Sequence, residues 1–375
     1  MASRISPYVD NTGLVFAYDL ANVNRSYLGE PTVNYLTTTL IPNSATKESF
    51  TGTVTENAEL APDGTYTAHR FQVDAGYTYQ FLSIPANTTI TYSGWVRSLD
   101  GNTYVNRNPY IWNYNSPTYG IVVQGTGGIA PEWRKFSMTY TTLAHQDTFS
   151  ISYGSKDYSG LSGTYALWRP QLEYKTHSTP FVNGTRSATQ GLKDLTGNST
   201  IDLTNVSFDS NAQMTFDGTD DYITAGNNPY LAPGTGNFTY SCWINPAGYS
   251  YYAGLLVVAT TGGLWIGKLG SNMVLRAYNV EDYLQYSTLP TVGQWTNVVI
   301  TRAGTAVTLY YNANSVATAT TGYNFVQATA YIGNDGPTSS ANFNGKIANT
   351  SFYNRALTAS EIQQNFNAIK GRYGL

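Results

Sequence analysis

Gln294-Trp-Thr-Asn-Val-Val-Ile-Thr-Arg-Ala-Gly-Thr-Ala-Val-Thr-Leu-Tyr-Tyr-Asn-Ala-Asn-Ser-Val-Ala-Thr318 reads as three short strands joined by two turns. Val298 to Thr301 and Val307 to Tyr311 are runs of β-branched and aromatic residues, split by a turn at Arg302-Ala-Gly-Thr305. Asn312-Ala-Asn314 then turns the chain back into Ser315–Thr318, which predicts an antiparallel meander.

Working outward, Thr239-Tyr-Ser-Cys-Trp-Ile-Asn245 is a short alternating run ahead of the meander. A close variant, Thr91-Tyr-Ser-Gly-Trp-Val-Arg97, stands far upstream. Each is followed some tens of residues later by a second strand-opening tryptophan, Trp295 and Trp133 respectively. Two copies of one pattern predict two separate sandwiches, with Trp95, Trp133, Trp243 and Trp295 in their cores. Cys242 alternates with Tyr240 and Ile244 on one strand face and reads as a packing residue. Tyr165-Ala-Leu-Trp-Arg-Pro-Gln-Leu-Glu173 reads as the last strand of the first sandwich, and Thr179-Pro-Phe-Val-Asn-Gly184 as a linker.

A helix is predicted near the end. Thr358-Ala-Ser-Glu361 is a capping box, and Leu357 and Ile362 hold the positions of a hydrophobic staple. Ile362, Phe366 and Ile369 share one face, so the helix should lie against a sheet, with Gly371 as its stop.

Composition agrees. Only 11% of the 375 residues are charged, against about 25% in an average soluble protein. Tyr (32) and Gly (35) are abundant, which suits pleated surfaces and tight turns. A net charge of −3 without any Lys/Arg cluster argues against nucleic acid as a partner. No apolar run reaches membrane-spanning length, and Met1-Ala-Ser-Arg-Ile-Ser-Pro-Tyr-Val-Asp-Asn11 lacks the apolar segment of a secretory signal. The single cysteine excludes an intrachain disulfide. These features predict a protein made in a reducing cytoplasm, for which release inside a virion is one route outward.

The stretch from Phe216-Asp-Gly-Thr-Asp-Asp-Tyr-Ile223 to the C-terminus resembles laminin-G-like, concanavalin A-like jelly rolls. The matching pieces include Phe238-Thr-Tyr-Ser-Cys-Trp-Ile244, Tyr331-Ile-Gly333, Phe343-Asn-Gly-Lys-Ile-Ala348 and Phe352-Tyr-Asn-Arg-Ala-Leu-Thr-Ala-Ser-Glu-Ile-Gln-Gln-Asn-Phe366. In that family the opening strand often reads Gly-Leu-Val-x-x-Tyr-Asp, followed by an Asp-Leu-x-Gly-Asn turn. Here these pieces stand apart, at Gly13–Asp19 and Asp194–Asn198. Residues 35–180 resemble carbohydrate-binding-module jelly rolls, with Trp95, Trp133 and Leu167–Glu173 as the shared marks. The resemblance implies an all-β chain of two jelly-roll β-sandwiches, the first inserted into the second, with one short C-terminal helix. Its parts would be an arm and first strand at 1–34, the inserted sandwich at 35–180 and the laminin-G-like sandwich at 181–375. The joint Thr179-Pro-Phe-Val-Asn-Gly-Thr-Arg186 and the ending Lys370-Gly-Arg-Tyr-Gly374 occur with both features in structural proteins of tailed phages.

Catalysis has little footing. No Glu-x-Asp-x-x-Glu run offers the paired carboxylates of a glycosidase, and only eight Glu occur. His69, His145 and His177 stand outside any nucleophile–base motif and read as surface or turn residues. Asp217, Asp220 and Asp221 would suit Ca²⁺, the one cofactor the residues suggest, or would simply shape a tight turn. Trp112 and Tyr114 in the first sandwich, and Tyr249, Tyr251 and Tyr252 in the second, lie near small polar residues, as sugar-stacking aromatics do. Protein–protein packing is the competing reading of those rings.

Two function classes follow. One is a phage virion surface protein, a decoration, fibre or tail-appendage subunit, homo-oligomeric, bound to other virion proteins and adhering to a host-surface glycan. The other is a carbohydrate-binding accessory of a bacterial polysaccharide-degrading system. An enzyme ranks last, and neither membrane nor nucleic acid is a partner.

Overall fold

In the computed structural model, described for residues 9–36, 51–75, 79–104, 108–113, 120–126, 128–144, 147–152, 163–203, 206–208, 213–336 and 342–375, the meander forms as read. Strands Thr296–Ala303, Ala306–Tyr311 and Asn314–Thr320 pair antiparallel, with Thr301 opposite Thr308 and Leu309 opposite Ala317. Asn312 and Ala313 both adopt positive φ, as the two-residue loop of a tight hairpin demands.

The chain divides into two compact units, residues 1–31 with 187–375 and residues 32–186. In the first, the meander continues an eight-stranded sheet through Phe238–Gly248 to the long strand Asn344–Tyr353. One edge of Asn344–Tyr353 is shared. Met214–Asp217 pairs with residues 344–346, and Leu14–Asp19 pairs with residues 349–353. The second sheet runs Ile223–Gly226, Ala330–Ile332, Tyr252–Val258, Leu264–Leu269, Asn272–Ala277 and Glu281–Tyr286. Phe16, Tyr18, Phe238, Tyr240, Cys242, Ile266, Ile300 and Phe352 fill the core between them. The architecture is all-β, a jelly roll of stacked sheets with one short C-terminal helix.

Alternation decides what the other face carries. Phe238, Tyr240 and Cys242 point into the sandwich, so Thr239, Ser241 and Trp243 point away. The helix Ala359–Ile369 covers them. Its capping box is formed, with Glu361 N–H donating to Thr358 Oγ1 and Thr358 N–H to Glu361 Oε2. Phe366 stacks on Trp243 at 5.6 Å, and Tyr373 stacks on it at 4.1 Å. Gly371 does not stop the helix. Residues Lys370–Tyr373 tighten into a 3₁₀ turn and Gly374, at φ 76°, is the left-handed residue that ends it.

Asp194 ties the N-terminal strand down. Its carboxylate accepts from Ala17 N–H (2.9 Å), Thr196 N–H (3.0 Å) and Oγ1 (2.8 Å), Asn198 N–H (3.0 Å) and Ser199 N–H (3.0 Å). Thr196 Oγ1 and Asn198 Nδ2 also reach the Val15 carbonyl, at 3.0 and 2.9 Å.

The second unit is a sandwich too. A five-stranded sheet runs Thr51–Leu60, Tyr66–Ala75, Gly163–Glu173, Thr89–Ser98 and Arg134–Thr141. A four-stranded sheet runs Tyr79–Ile84, Asp147–Ser152, Tyr110–Asn113 and Gly120–Gln124. Phe71, Tyr92, Ile111, Phe149, Ile151 and Leu167 pack in its core. Thr32–Val33 pairs with Thr185–Arg186 where the chain enters and leaves. The stretch after residue 178 is not a free linker. The buried Glu173 carboxylate accepts from Thr179 N–H (3.0 Å), and Val182 N–H donates to Gln171 Oε1 (2.7 Å).

The tryptophan expectation needs correction. Trp243 is fully buried, but under the helix rather than in the sandwich core. Trp295 is half-buried, leaning on Tyr373 at 4.8 Å. Trp95 and Trp133 are half-buried on the outer face of the five-stranded sheet, in a small cluster with Trp168. Trp95 alternates with Tyr92 and Val96, which are core, so it faces the other way.

Asp194→Ala should strip the buried Ala17 N–H and three part-buried turn N–H groups of their shared acceptor and lower the stability of the first unit by about 3 kcal/mol. Chemical denaturation should show the loss in that unit's transition, with Asp194→Asn intermediate.

Candidate functional site

Residues 249–251 connect Phe238–Gly248 to Tyr252–Val258 at one rim of the first unit. Three contacts hold this loop. The Tyr249 hydroxyl donates to the Pro290 carbonyl at 2.7 Å. The Ser250 hydroxyl reaches the carbonyls of both Tyr252 and Asn342, the latter at 3.0 Å. Lys268, 7% exposed, gives its ammonium to the Ser250 and Tyr251 carbonyls and sits 5.7 Å from the Tyr249 ring. Burial pushes the Lys268 ammonium pKa down and the Tyr249 phenol pKa up. With the loop fixed, Tyr251 and Tyr252 stand out, 65% and 39% exposed, their rings edge to face at 4.7 Å. Tyr249 is therefore mainly a packing residue, and the open surface belongs to Tyr251 and Tyr252.

The acidic turn joins the same rim. Asp217 Oδ1 accepts from Thr219 N–H at 2.6 Å, and Asp221 Oδ2 accepts from Asp217 N–H at 2.8 Å, which are turn-forming bonds. One oxygen from each of Asp217, Asp220 and Asp221 lies within 4.8 Å of the others. Asp221 is buried, and that burial, with the neighbouring Asp217 and Asp220 charges, pushes its carboxyl pKa up to about 6. Asn342 Nδ2 donates to the Thr219 carbonyl, while its buried Oδ1 has no partner among the described residues. Asn342 thus binds both the tyrosine loop, through its carbonyl, and the acidic turn, through its side chain.

The other candidates lie in the second unit. Trp112 is half-buried in Tyr110–Asn113, edge to face with Tyr110 at 6.4 Å. Tyr114 and His145 lie outside the described residues. His177 is half-buried in a bend, 3.4 Å from Thr176 Oγ1. His69 departs from the surface-or-turn reading. It is a half-buried strand residue whose Nδ1 has no partner among the described residues. Asn342, Ser250 and Lys268 were not singled out by sequence. Asn342 meets Thr219 across 123 residues, and no local pattern marks such a contact.

A family model matches part of the first unit. Residues 217–363 match the Laminin_G_3 model, described as the concanavalin A-like lectin/glucanases superfamily. The fold there is a lectin-like jelly roll. Among solved structures, similar ones include the binding domain of Paraclostridial Mosquitocidal Protein 1, at 18% identity over 47% of this chain and 49% of that one, TM-score 0.40. Another is the binding domain of Botulinum neurotoxin serotype G, at 15% identity over 47% and 48%, TM-score 0.40. A third is Domain 4 of AbnA, a GH43 extracellular arabinanase from Geobacillus stearothermophilus, solved in complex with arabinotriose, at 19% identity over 48% and 92%, TM-score 0.39. The alignments span about half the length of the two toxin binding domains. No curated protein matches the chain.

The raised Asp221 pKa sets a pH dependence. A carboxyl whose folded pKa lies above its unfolded value stabilises the fold at low pH, and that contribution is lost as pH rises from about 4 through about 6. In EDTA at pH 7.5, Asp221→Asn should therefore raise the Tm of the first unit, by about 2–4 °C for each ~1 kcal/mol recovered. The gain should vanish near pH 4, as paired thermal melts would show.

Proposed function

We propose that this chain is a non-catalytic glycan-binding surface subunit of a tailed-phage virion, acting through the rim formed by Tyr251, Tyr252 and the Asp217–Asp221 turn. The observation that carries the glycan reading is the junction at Asn342, which places two exposed tyrosine rings and three carboxylates together on a lectin-like fold. A sugar's apolar face stacks on aromatic rings while its hydroxyls bind polar groups or a hard cation. Asp217, Asp220, Asp221 and the unpartnered Asn342 Oδ1 are the oxygen donors that would hold Ca²⁺. The virion reading is supported by the joint at 179–186 and the Lys370–Gly374 ending. Assembly of many copies would multiply weak single-site binding. With so few charges, attachment should depend little on salt.

Replacing Tyr251 and Tyr252 together by Ser should reduce binding to a glycan array at least tenfold without changing the Tm, because both rings are exposed. If Ca²⁺ bridges protein and sugar, EDTA should have a similar effect. Loss of folding in the double variant would make the tyrosines packing residues. Antibody labelling of purified particles tests the location. Absence from virions, with secretion alongside polysaccharide hydrolases, would favour the accessory-protein reading.

A further inference from the structure

The tryptophan pattern repeats in the two units down to the cross-strand partner, yet the two copies are covered differently. Thr91-Tyr-Ser-Gly-Trp95 and Thr239-Tyr-Ser-Cys-Trp243 both turn their tryptophan away from the sandwich core. The second tryptophan of each copy, Trp133 or Trp295, stands two residues before the residue that faces the first across the sheet. That residue is Lys135 opposite Trp95 and Asn297 opposite Trp243. On its other side Trp95 faces Trp168, and Trp243 faces Asn349. In the first unit the chain itself closes this surface. Phe366 of the helix stacks on Trp243 at 5.6 Å with 5° between the planes, and both asparagines are buried. In the second unit Trp95 stays half-buried and Lys135 is exposed.

Trp95, Lys135, Arg169 and Phe181 line a recess of about 160 Å³. That is below the roughly 300–1,000 Å³ of small-molecule sites and suits one anchoring side chain of a larger partner. Arg169 sits in the strand irregularity between Trp168 and Gln171 at φ 51°, a conformation that arginine holds only under constraint. It lies over the Trp168 ring at 4.1 Å and pairs with Asp63 at 3.2 Å, so Trp168 is covered and the guanidinium charge is compensated. Among the described residues no carboxylate lines the recess, which leaves the Lys135 ammonium as its open charge. Phe181 is 36% exposed. Apolar surface also continues on the side of Trp133, whose Nε1–H donates to the Leu60 carbonyl at 3.2 Å, with Leu60 45% and Tyr66 68% exposed. Exposed aromatic and aliphatic side chains grouped in this way mark interaction surfaces.

We infer that the Trp95 recess is a docking site for a polypeptide partner that presents an aromatic side chain next to a carboxylate. The partner's ring takes over Trp95 the place that Phe366 takes over Trp243, where aromatic stacking adds to the burial of apolar area. The carboxylate answers the difference between the two copies. Asn297 can be sealed beneath a neutral helix, but Lys135 sealed in the same way would be a buried charge without a partner. This contact is independent of the tyrosine rim and holds whether or not the rim binds sugar.

The test is calorimetric titration of the full chain with three end-blocked pentapeptides: Asp-Glu-Phe-Glu-Asp, its amide counterpart Asn-Gln-Phe-Gln-Asn, and Asp-Glu-Ala-Glu-Asp. The first should bind, and the other two at least tenfold more weakly. Trp95→Ala and Lys135→Glu should each weaken the first peptide at least tenfold, while the Tyr251→Ser, Tyr252→Ser double variant binds it like the parent. Lys135 is exposed, so its variant remains informative if Trp95→Ala fails to fold. Failure of the acidic aromatic peptide to bind, equal binding of either control peptide, or binding unchanged by Lys135→Glu would overturn the inference. So would two outcomes that name a different occupant. Displacement of the peptide by neutral methyl glycosides would make the recess a sugar site. A dimer in sedimentation that Lys135→Glu converts to monomer would make it a contact between copies of this chain.

Discussion

The first unit depends on one carboxylate. Asp194 gathers five N–H and O–H donors, one from the N-terminal strand and the others from its own turn. Leu14–Asp19 is all buried, so it must satisfy its backbone on both edges. One edge is met by Asn344–Tyr353 and the other partly by the Asp194 turn, whose Leu195 N–H donates to the Ala17 carbonyl at 2.7 Å. The interleaving of residues 32–186 between strand and turn is tolerable because both ends of the break are fixed within one unit.

What was legible in the sequence was local. The helix start needed only Thr358 and Glu361, three residues apart, and the meander needed only its turn residues and β-branched runs. The faces of the Thr-Tyr-Ser-x-Trp strands were legible as alternation, but alternation does not say which face the core lies on or what covers the other. Trp95 and Trp133 were misassigned for that reason: a tryptophan in a strand can lie under a helix, as Trp243 does, or on an open sheet, as Trp95 does. The polar neighbours of Trp95 on its face, Thr91, Ser93 and Arg97, were the available signal.

The candidate rim was half legible. Its tyrosines and aspartates stand out by residue type, but their proximity depends on Asn342, which belongs to neither segment. The β-bulge between Trp168 and Gln171 was not legible at all, because Arg169, at φ 51°, lies in Tyr165–Glu173, a run that reads as one continuous strand.

Cys242 shows what core burial means for the chain's chemistry. The thiol is fully buried beside Tyr240, and its pKa is pushed up to about 12 by burial. Thiolate, not thiol, is the reactive form, so passage from a reducing to an oxidising medium leaves this sulfur unchanged while the sandwich is closed. A lone cysteine so placed is a clock for breathing of the fold: an alkylating reagent can reach it only when the two sheets part, and its rate of modification counts those openings.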